Sequence, residues 1–284
     1  MATDRYAVIG HGISYSRSPQ IHARFAAQCR QALDYGIIDA PADGFLAAAQ
    51  AFFAGGGRGL NVTVPFKQEA FAFAGTLTPR AHDAGAVNTL AMLADGTLLG
   101  DNTDGAGLVR DLRHNLGCDL EGARVLLLGA GGAAHGVVLP LLGAGVAGVV
   151  IANRTPERAL HLAAQFAGRG AVHALGDAGA MQLAAHGPEG FELIVNATAA
   201  SSAGELPGIP DHAIGASTLA YDLGYTQPQT AFMKWARAAG AARTVNGLGM
   251  LVEQAAESFL LWRGVRPNTT PVLEALHAAH AAAD

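Results

Sequence analysis

The sequence predicts an α/β protein built from two successive α/β regions. Three observations carry that reading. Short strand-like runs alternate with helical runs along almost the whole chain, the pattern of sheets covered by helices. The stretch from Val125 to Asn153 has no charged side chain unless His135 is protonated, and its glycines divide it into "RVLLLG", "GGAAHGVVLPLLGAG" and "GVVIANR". That is strand, helix, strand. Finally, the chain is 50% hydrophobic and only 14% charged, which argues against disorder, and its 284 residues suit one large or two medium domains.

In the first region "YAVIG" is a strand and "SPQIHARFAAQC" a helix, with Ser18 as its cap and Pro19 at the first helical position. "DYGIID" is a strand, "DGFLAAAQAFFAG" a helix and "GLNVTV" a strand. In that last run Leu60, Val62 and Val64 point one way and Asn61 and Thr63 the other; Pro65, lacking an N–H, ends the ladder, and the charge of Lys67 follows. "AVNTL" ends a strand with Asn88, and a hairpin-like pair turns around Asp95 and Gly96. Asp104 caps a helix whose apolar stripe is Leu108, Leu112 and Leu116. The second region opens near Arg124, with strands at "RVLLLG", "GVVIAN", "FELIVNAT" and "STLAYDL". A helix "MLVEQAAESFLLW" and a last one near "TPVLEALHAAHAAA" close the chain. Alternation predicts parallel sheets. Two domains are expected, 1–104 and 105–246, with the final helices, from about 247 to 284, returning to the first.

The charge-free stretch exceeds the ~20 apolar residues of a membrane span. Its glycines and Pro140 break it, however, and strands covered on both faces are apolar throughout, so no membrane partner is expected. A net charge of -5 offers no basic footprint for nucleic acid. Cys29 and Cys118 form no C-x-x-C and read as buried thiols of a reducing compartment. The opening "MATDRYAVIG" carries an acid and no long apolar core, unlike a signal peptide, so a cytoplasmic setting is expected. The histidines show no H-E-x-x-H and no partnering cysteine pairs; His277 and His280 stand a helical turn apart near the C-terminus and read as solvated, so no metal site is expected. The assembly is left open between a monomer and a homodimer.

Gly129, Gly131 and Ala134 make a G-x-G-x-x-A after a strand and before a helix. The first glycine turns the chain, the second admits a pyrophosphate, and the small third residue lets helix meet strand. After the next strand, where NAD binders usually carry an acid, stands "ANRTPER". Asn153, Arg154 and Arg158 flank the start of a helix capped by Thr155 with Pro156 after it, and two guanidinium groups suit the 2′-phosphate of NADP. Either arginine alone reads equally as a solvated helix start.

"YSRSPQIH" places Ser16 and Ser18 around a helix N-terminus, a site for a small carboxylate, although Ser18 alone reads first as a plain cap. "GDNTDG" puts Asn102 and Asp104 at the seam of the two regions, where Asp104 alone reads as an N-cap. Asn88 within an apolar strand needs a hydrogen-bond partner. Gln254 lies off the stripe Leu248, Leu251, Val252, Ala255 and Phe259, so either function or solvent exposure explains it.

S-x-S-P, N-V-T-V-P-F-K, G-A-V-N-T, N-T-D-G, G-A-G-G-A, N-R-T, D-L-x-Y and N-G-L-G-M-L-x-x-Q follow in this order over nearly the whole chain, which resembles the shikimate dehydrogenase family. The resemblance implies an N-terminal α/β substrate domain and a Rossmann-type NADP-binding domain with an active-site cleft between them. It implies reduction of 3-dehydroshikimate to shikimate with NADPH, in aromatic amino-acid biosynthesis. By position it assigns Lys67 and Asp104 to catalysis, and Ser16, Ser18, Thr63 and Tyr225 to substrate binding, the serines toward the carboxylate. Asn88, Asp104 and Gln254 would reach ring hydroxyls. Gly129, Ala130, Gly131, Gly132 and Ala133 would hold the pyrophosphate, Asn153, Arg154, Thr155 and Arg158 the adenosine phosphate, and Thr198, Leu223 and Gly247 the nicotinamide end.

Two departures stand out. Pro79 occupies a position where relatives often carry an acid, putting an auxiliary cofactor contact there in question, and "GHGISYS" replaces the more usual N-P-I-x-x-S before Ser16. The rival readings are a quinate or quinate/shikimate dehydrogenase and a non-catalytic NADP-binding module. Ser18 and the two arginines speak against the first, and the joint presence of Lys67 and Asp104 against the second.

Overall fold

The structure, a computed structural model, describes residues 3–176, 183, 190–198, 205 and 208–281. The chain divides into two units, 1–108 together with 251–284, and 109–250.

In the first unit β1 (Asp4–Gly10), β2 (Leu33–Asp39), β3 (Gly57–Val62), β4 (Thr76–Leu77), β5 (Thr89–Met92) and β6 (Leu98–Asp101) form a sheet in the order β2-β1-β3-β5-β6-β4. Helices α1 (Ser18–Cys29), α2 (Phe45–Ala54), α3 (Lys67–Phe73) and α4 (Pro79–Ala84) connect its strands, and α5 (Asp104–Arg110) leaves it. β1, β2 and β3 are parallel, but β3–β5 and β5–β6 are antiparallel, so this sheet is mixed and not parallel as alternation predicts. The reason is local. β5 and β6 are joined by a tight turn in which Leu93 N–H bonds Thr97 O at 2.9 Å and Gly96 takes φ 85°, and a turn that short only reverses the chain. The ladders align Asn61 with Thr89, and Thr89 with Asp101, so a row of polar residues crosses one end of the sheet. Ile9, Phe45, Leu60, Val62, Phe66 and Leu90 belong to the apolar core of this unit.

Three expectations about these elements are corrected. β3 stops at Val62, and Val64 is 58% exposed, because Phe66 N–H returns to Thr63 O at 3.0 Å and the chain turns before the alternation can continue. Asn88 precedes β5 and does not end a strand. Cys29 and Cys118 are free thiols but partly exposed, not buried.

His22 of α1 is fully buried, and the Asn61 side chain is the polar group that opposes the effect of its burial. The imidazole stacks on Tyr35 at 4.2 Å and meets Phe25 edge-on at 5.9 Å. Burial without a counter-charge pushes its pKa down to about 3 from 6.5. As pH falls below about 6.5 the unfolded chain takes up this proton first, so its stabilising effect is full above that pH and is lost progressively toward pH 3. Unfolding free energy should fall by up to ~1.4 kcal/mol per pH unit in that window on this account alone. Denaturant titrations of wild type and His22→Phe between pH 7 and 5, above the range where carboxylates dominate, read the difference directly. Equal slopes would reject the role of His22.

In the second unit β7 (Arg124–Leu128), β8 (Gly148–Ala152), β9 (Val172–Ala174), β10 (Phe191–Asn196), β11 (Ile214–Asp222) and β12 (Arg243–Asn246) form a sheet in the order β12-β11-β10-β7-β8-β9. Every neighbouring pair is parallel. Strand order reverses between β7 and β10, and the crevice beyond the carboxyl ends of such strands is where open α/β sheets bind ligands. α6 (Gly132–Gly143) follows β7, and α7 (Pro156–Gln165) follows β8. The helix Ala231–Ala238 and the short edge strands β9 and β12 are elements that periodicity alone does not reveal.

α5 runs on into a π-helical turn, Asp111–Asn115. Buried Asp111 accepts from Tyr221 Oη at 2.6 Å, and Tyr221 Oη accepts from Met250 N–H at 3.1 Å. A Cβ on Gly249 would fall 2.1 Å from Asp111 Oδ1, which explains the second glycine of "NGLGM". No helix among the described residues is long and apolar enough to cross a membrane.

Candidate active site and dinucleotide site

In the first unit four of the singled-out residues are joined by hydrogen bonds. Lys67 opens α3 immediately after the turn at Thr63–Phe66, so it comes from a helix start and not from a strand end. Its Nζ donates to Asp104 Oδ2 at 2.6 Å, with side-chain exposures of only 12% and 7%. Water therefore screens this pair little.

Asp104 is not the cap of α5 but its first residue. Gly107 N–H bonds Thr103 O at 2.9 Å, which puts Thr103 at the cap position, and Asp104's own N–H bonds Asn102 Oδ1 at 3.2 Å. The Asp104 carboxylate is directed at side chains instead. Its second oxygen, Oδ1, accepts from Asn88 Nδ2 at 2.8 Å. Asn88 Nδ2 also reaches Thr103 Oγ1 at 2.9 Å and Gln254 Oε1 at 3.2 Å. Gln254 is carried by the helix Leu248–Arg263, which comes so close to α5 that a Cβ on Gly107 would lie 2.6 Å from Gln254 Cβ. Gln254 is half-buried, so solvent exposure does not explain it.

The loop before α1 also departs from its expected capping. Ser18 is the first helical residue, Arg17 holds the N-cap position without a side-chain bond, and Ser16 Oγ accepts Ser18 N–H at 3.3 Å. The hydroxyl serving the helix start is thus that of Ser16, while Ser18 is buried. Thr63 follows β3 and bonds Ile9 O through its N–H at 2.9 Å. A Cβ on Gly10 would meet Thr63 Cγ2 at 2.6 Å, so the loop leaving β1 toward Ser16 packs on Thr63.

The altered "GHGISYS" loop has its own anchors, His11 Nδ1–H to Ala40 O at 2.8 Å and Gly12 N–H to Asp39 Oδ1 at 2.7 Å. Pro79 opens α4, whose cap is Thr78, and the neighbouring Arg80 is committed to Asp101 at 2.5 Å.

Asn61, Thr89, Thr103 and Ser258 received no role from sequence, yet all hydrogen-bond within this cluster. For Ser258 a signal existed: it lies one helical turn after Gln254, on the same helix face.

The second unit holds the dinucleotide motif. Gly129 takes φ 101°, and a Cβ there would approach Thr198 and Ala197 to 3.0–3.2 Å. Gly131 has nothing within 4 Å of a Cβ position, which leaves room beside the start of α6. That helix has no side-chain cap and no acid in its first turn, and its first N–H groups have no intrahelical partner. Ala134 is fully buried, as close helix–sheet packing requires. These features fit a pyrophosphate across Gly129, Ala130, Gly131, Gly132 and Ala133.

At the end of β8, Asn153 Nδ2 donates to Thr155 O at 2.9 Å. Thr155 holds the N-cap position of α7 without the capping hydrogen bond expected of it. Arg154 and Arg158 are exposed and have no ion-pair partner among the described residues, so both guanidinium groups remain for a phosphate dianion. Thr198 donates to Asn196 Oδ1 at 2.7 Å, and Leu223 N–H bonds Asn196 O at 2.9 Å. A Cβ on Gly247 would collide with Leu223 O at 2.3 Å. Buried Asn196 thus brings Thr198 and Leu223 together, and Gly247 closes on them. Tyr225 belongs to this unit, three residues beyond β11.

Comparisons with known proteins agree along the chain. Residues 8–90 match the family model of the shikimate dehydrogenase substrate binding domain, 111–202 that of shikimate / quinate 5-dehydrogenase, and 247–277 that of the shikimate 5'-dehydrogenase C-terminal domain. A curated relative from Aromatoleum aromaticum, named shikimate dehydrogenase (NADP(+)), is 56% identical over 97% of this chain and 98% of its own. Among solved structures, an Ael1 enzyme from Pseudomonas putida superposes with TM-score 0.86 at 44% identity, covering 96% of this chain and 98% of its own. The Thermus thermophilus shikimate 5-dehydrogenase, solved with NADP(H) and shikimate, superposes with TM-score 0.83 at 33% identity, covering 98% and 100%.

Proposed function

Because the chain belongs to the shikimate dehydrogenase family, we infer that it catalyses the reversible NADPH-dependent reduction of 3-dehydroshikimate to shikimate, with Lys67 and Asp104 as the catalytic pair. The observation that carries the residue assignment is the Lys67–Asp104 contact of 2.6 Å, extended by Asn88 and Gln254 into one polar cluster.

Reducing a ketone places negative charge on its oxygen. The Lys67 ammonium stabilises that charge and delivers its proton to the same oxygen, while Asp104 holds Nζ in place through Oδ2. NADPH, when bound, supplies the hydride. The first unit acts as the substrate domain. Ser16 and Ser18 take the carboxylate, Thr63 and Tyr225 complete the substrate contacts, and Asn88, Asp104 and Gln254 face ring hydroxyls. The second unit acts as the NADP domain, with Arg154 and Arg158 on the 2′-phosphate. We place the enzyme in the cytoplasm, in the route to chorismate and the aromatic amino acids.

The test is steady-state kinetics with four pairs, shikimate or quinate with NADP or NAD. The highest kcat/KM is expected for shikimate with NADP. Preference for quinate with NAD, or no NADPH formation from shikimate, would overturn the proposal.

A further inference from the structure

We propose that Thr89 and Ser258 are positioning residues for the catalytic centre, fixing through a chain of buried hydrogen bonds the Asn88 amide that holds Asp104. The proposal rests on the assignment of Lys67 and Asp104 to catalysis.

The directions of the bonds can be derived. Thr103 N–H lies 2.8 Å from one end of the Asn88 amide and can only donate, so that end is the oxygen. The amino end then faces the Asp104 carboxylate, which can only accept when ionised. Behind Asn88 the backbone carbonyl of Asn88, which can only accept, lies 3.5 Å from one end of the Asn61 amide and marks that end as the amino group. The Asn61 oxygen accepts from Tyr35 Oη at 2.7 Å, and its amino group points at Ser258 Oγ at 2.8 Å and Thr89 Oγ1 at 3.2 Å. With both hydroxyl oxygens accepting from Asn61, each hydroxyl sends its own proton onward. Ser258 donates to Thr89 at 2.8 Å or to Gln254 O at 3.1 Å, and Thr89 donates to Asn88 Oδ1 at 2.9 Å.

Donors therefore run one way, from Tyr35 through Asn61, Thr89 and Asn88 to Asp104. Bonds aligned in this sense polarise one another toward the carboxylate. Asn61, Thr89, Ser258 and Asn88 are all buried, so water cannot replace a missing link at little cost. The chain also explains the polar row across β3 and β5, where an apolar core alone would favour valine.

Shape and hydrogen bonding can be separated experimentally. Thr89→Val keeps the branched shape and deletes the hydroxyl, whereas Thr89→Ser keeps the hydroxyl. Thr89→Val should lower kcat/KM for shikimate about tenfold, the size of one buried hydrogen bond, with the KM for NADP within about twofold of wild type. Thr89→Ser should recover most of the loss. Ser258→Ala should act in the same direction, and its combination with Thr89→Val should be less than multiplicative, since both break one chain.

Calorimetric titration of shikimate into the cofactor-free protein supplies a readout independent of turnover, and melting temperatures record any general loss of stability. Active wild type together with folded Thr89→Val and Ser258→Ala variants of unchanged kcat/KM and shikimate affinity would overturn the positioning role alone. A rise in the KM for NADP as large as the loss in kcat/KM for shikimate would do the same. If Thr89→Val does not fold, Ser258→Ala decides. A wild-type protein that neither oxidises nor binds shikimate would overturn the assigned activity, and the positioning role with it.

Discussion

Lys67→Ala is expected to lower kcat for shikimate oxidation by roughly 10²–10⁴-fold while KM for shikimate changes much less. The size follows from what the ammonium does. In the assignment proposed above it exchanges a proton with the reacting oxygen and offsets the charge that develops there on the way to the transition state, so its loss is expected in kcat. Its setting strengthens the effect, because the pair with Asp104 is 2.6 Å long and nearly closed to solvent. Removing one member of such a pair leaves the other buried without its counter-charge, which also costs stability. Melting temperatures must therefore accompany the kinetics. Asp104 keeps its bond from Asn88 Nδ2, and this remaining partner should let the variant fold.

Lys67→Arg separates charge from proton transfer, since a guanidinium stays charged and does not give up its proton at neutral pH. Asp104→Ala should damage kcat as well, and KM too if Asp104 binds a ring hydroxyl. The double variant should be little worse than the worse single one, because the two act as a unit. A folded Lys67→Ala enzyme with near wild-type kcat would refute the assignment.

The second large effect concerns cofactor choice. Replacing Arg154 and Arg158 together by serine should lower kcat/KM for NADP by about 100-fold and leave kcat/KM for NAD almost unchanged, taking each charge-assisted contact as worth ~1.5–3 kcal/mol and allowing for screening. Both guanidinium groups are exposed and carry no ion pair among the described residues, so their loss breaks no internal contact. Exposure also implies that added salt weakens NADP binding more than NAD binding in the wild type. The kcat/KM ratio of NADP to NAD, measured for both proteins at two ionic strengths, checks this. An unchanged ratio would mean that the 2′-phosphate is recognised elsewhere.

The elements that could be read in advance are those whose signal is contiguous. The strand β7, the glycine turn and α6 follow one another without interruption, and turn chemistry with helix-start chemistry is local. The Asp95–Gly96 hairpin is legible for the same reason. The misreadings share the opposite cause. Ser18, Asp104 and Thr155 are good capping residue types next to helix starts, but a residue type does not say whether its side chain turns back to the helix or outward to a partner. For Asp104 two partners, Lys67 and Asn88, take the carboxylate away from the helix. Val64 fits the strand alternation, yet the turn back from Phe66 removes it from the sheet.

By itself the sequence determined the α/β class, the shikimate dehydrogenase family and the NADP signature, because each rests on ordered motifs whose geometry is set within a few residues of chain. Only the tertiary structure decided the mixed pairing of the first sheet, the true helix caps, and the buried relay behind Asn88. Asn61 and Ser258 are 197 residues apart in the chain and 2.8 Å apart in the fold. Their meeting depends on strand register and on the close approach of two helices at Gly107, and no local pattern in the chain encodes either.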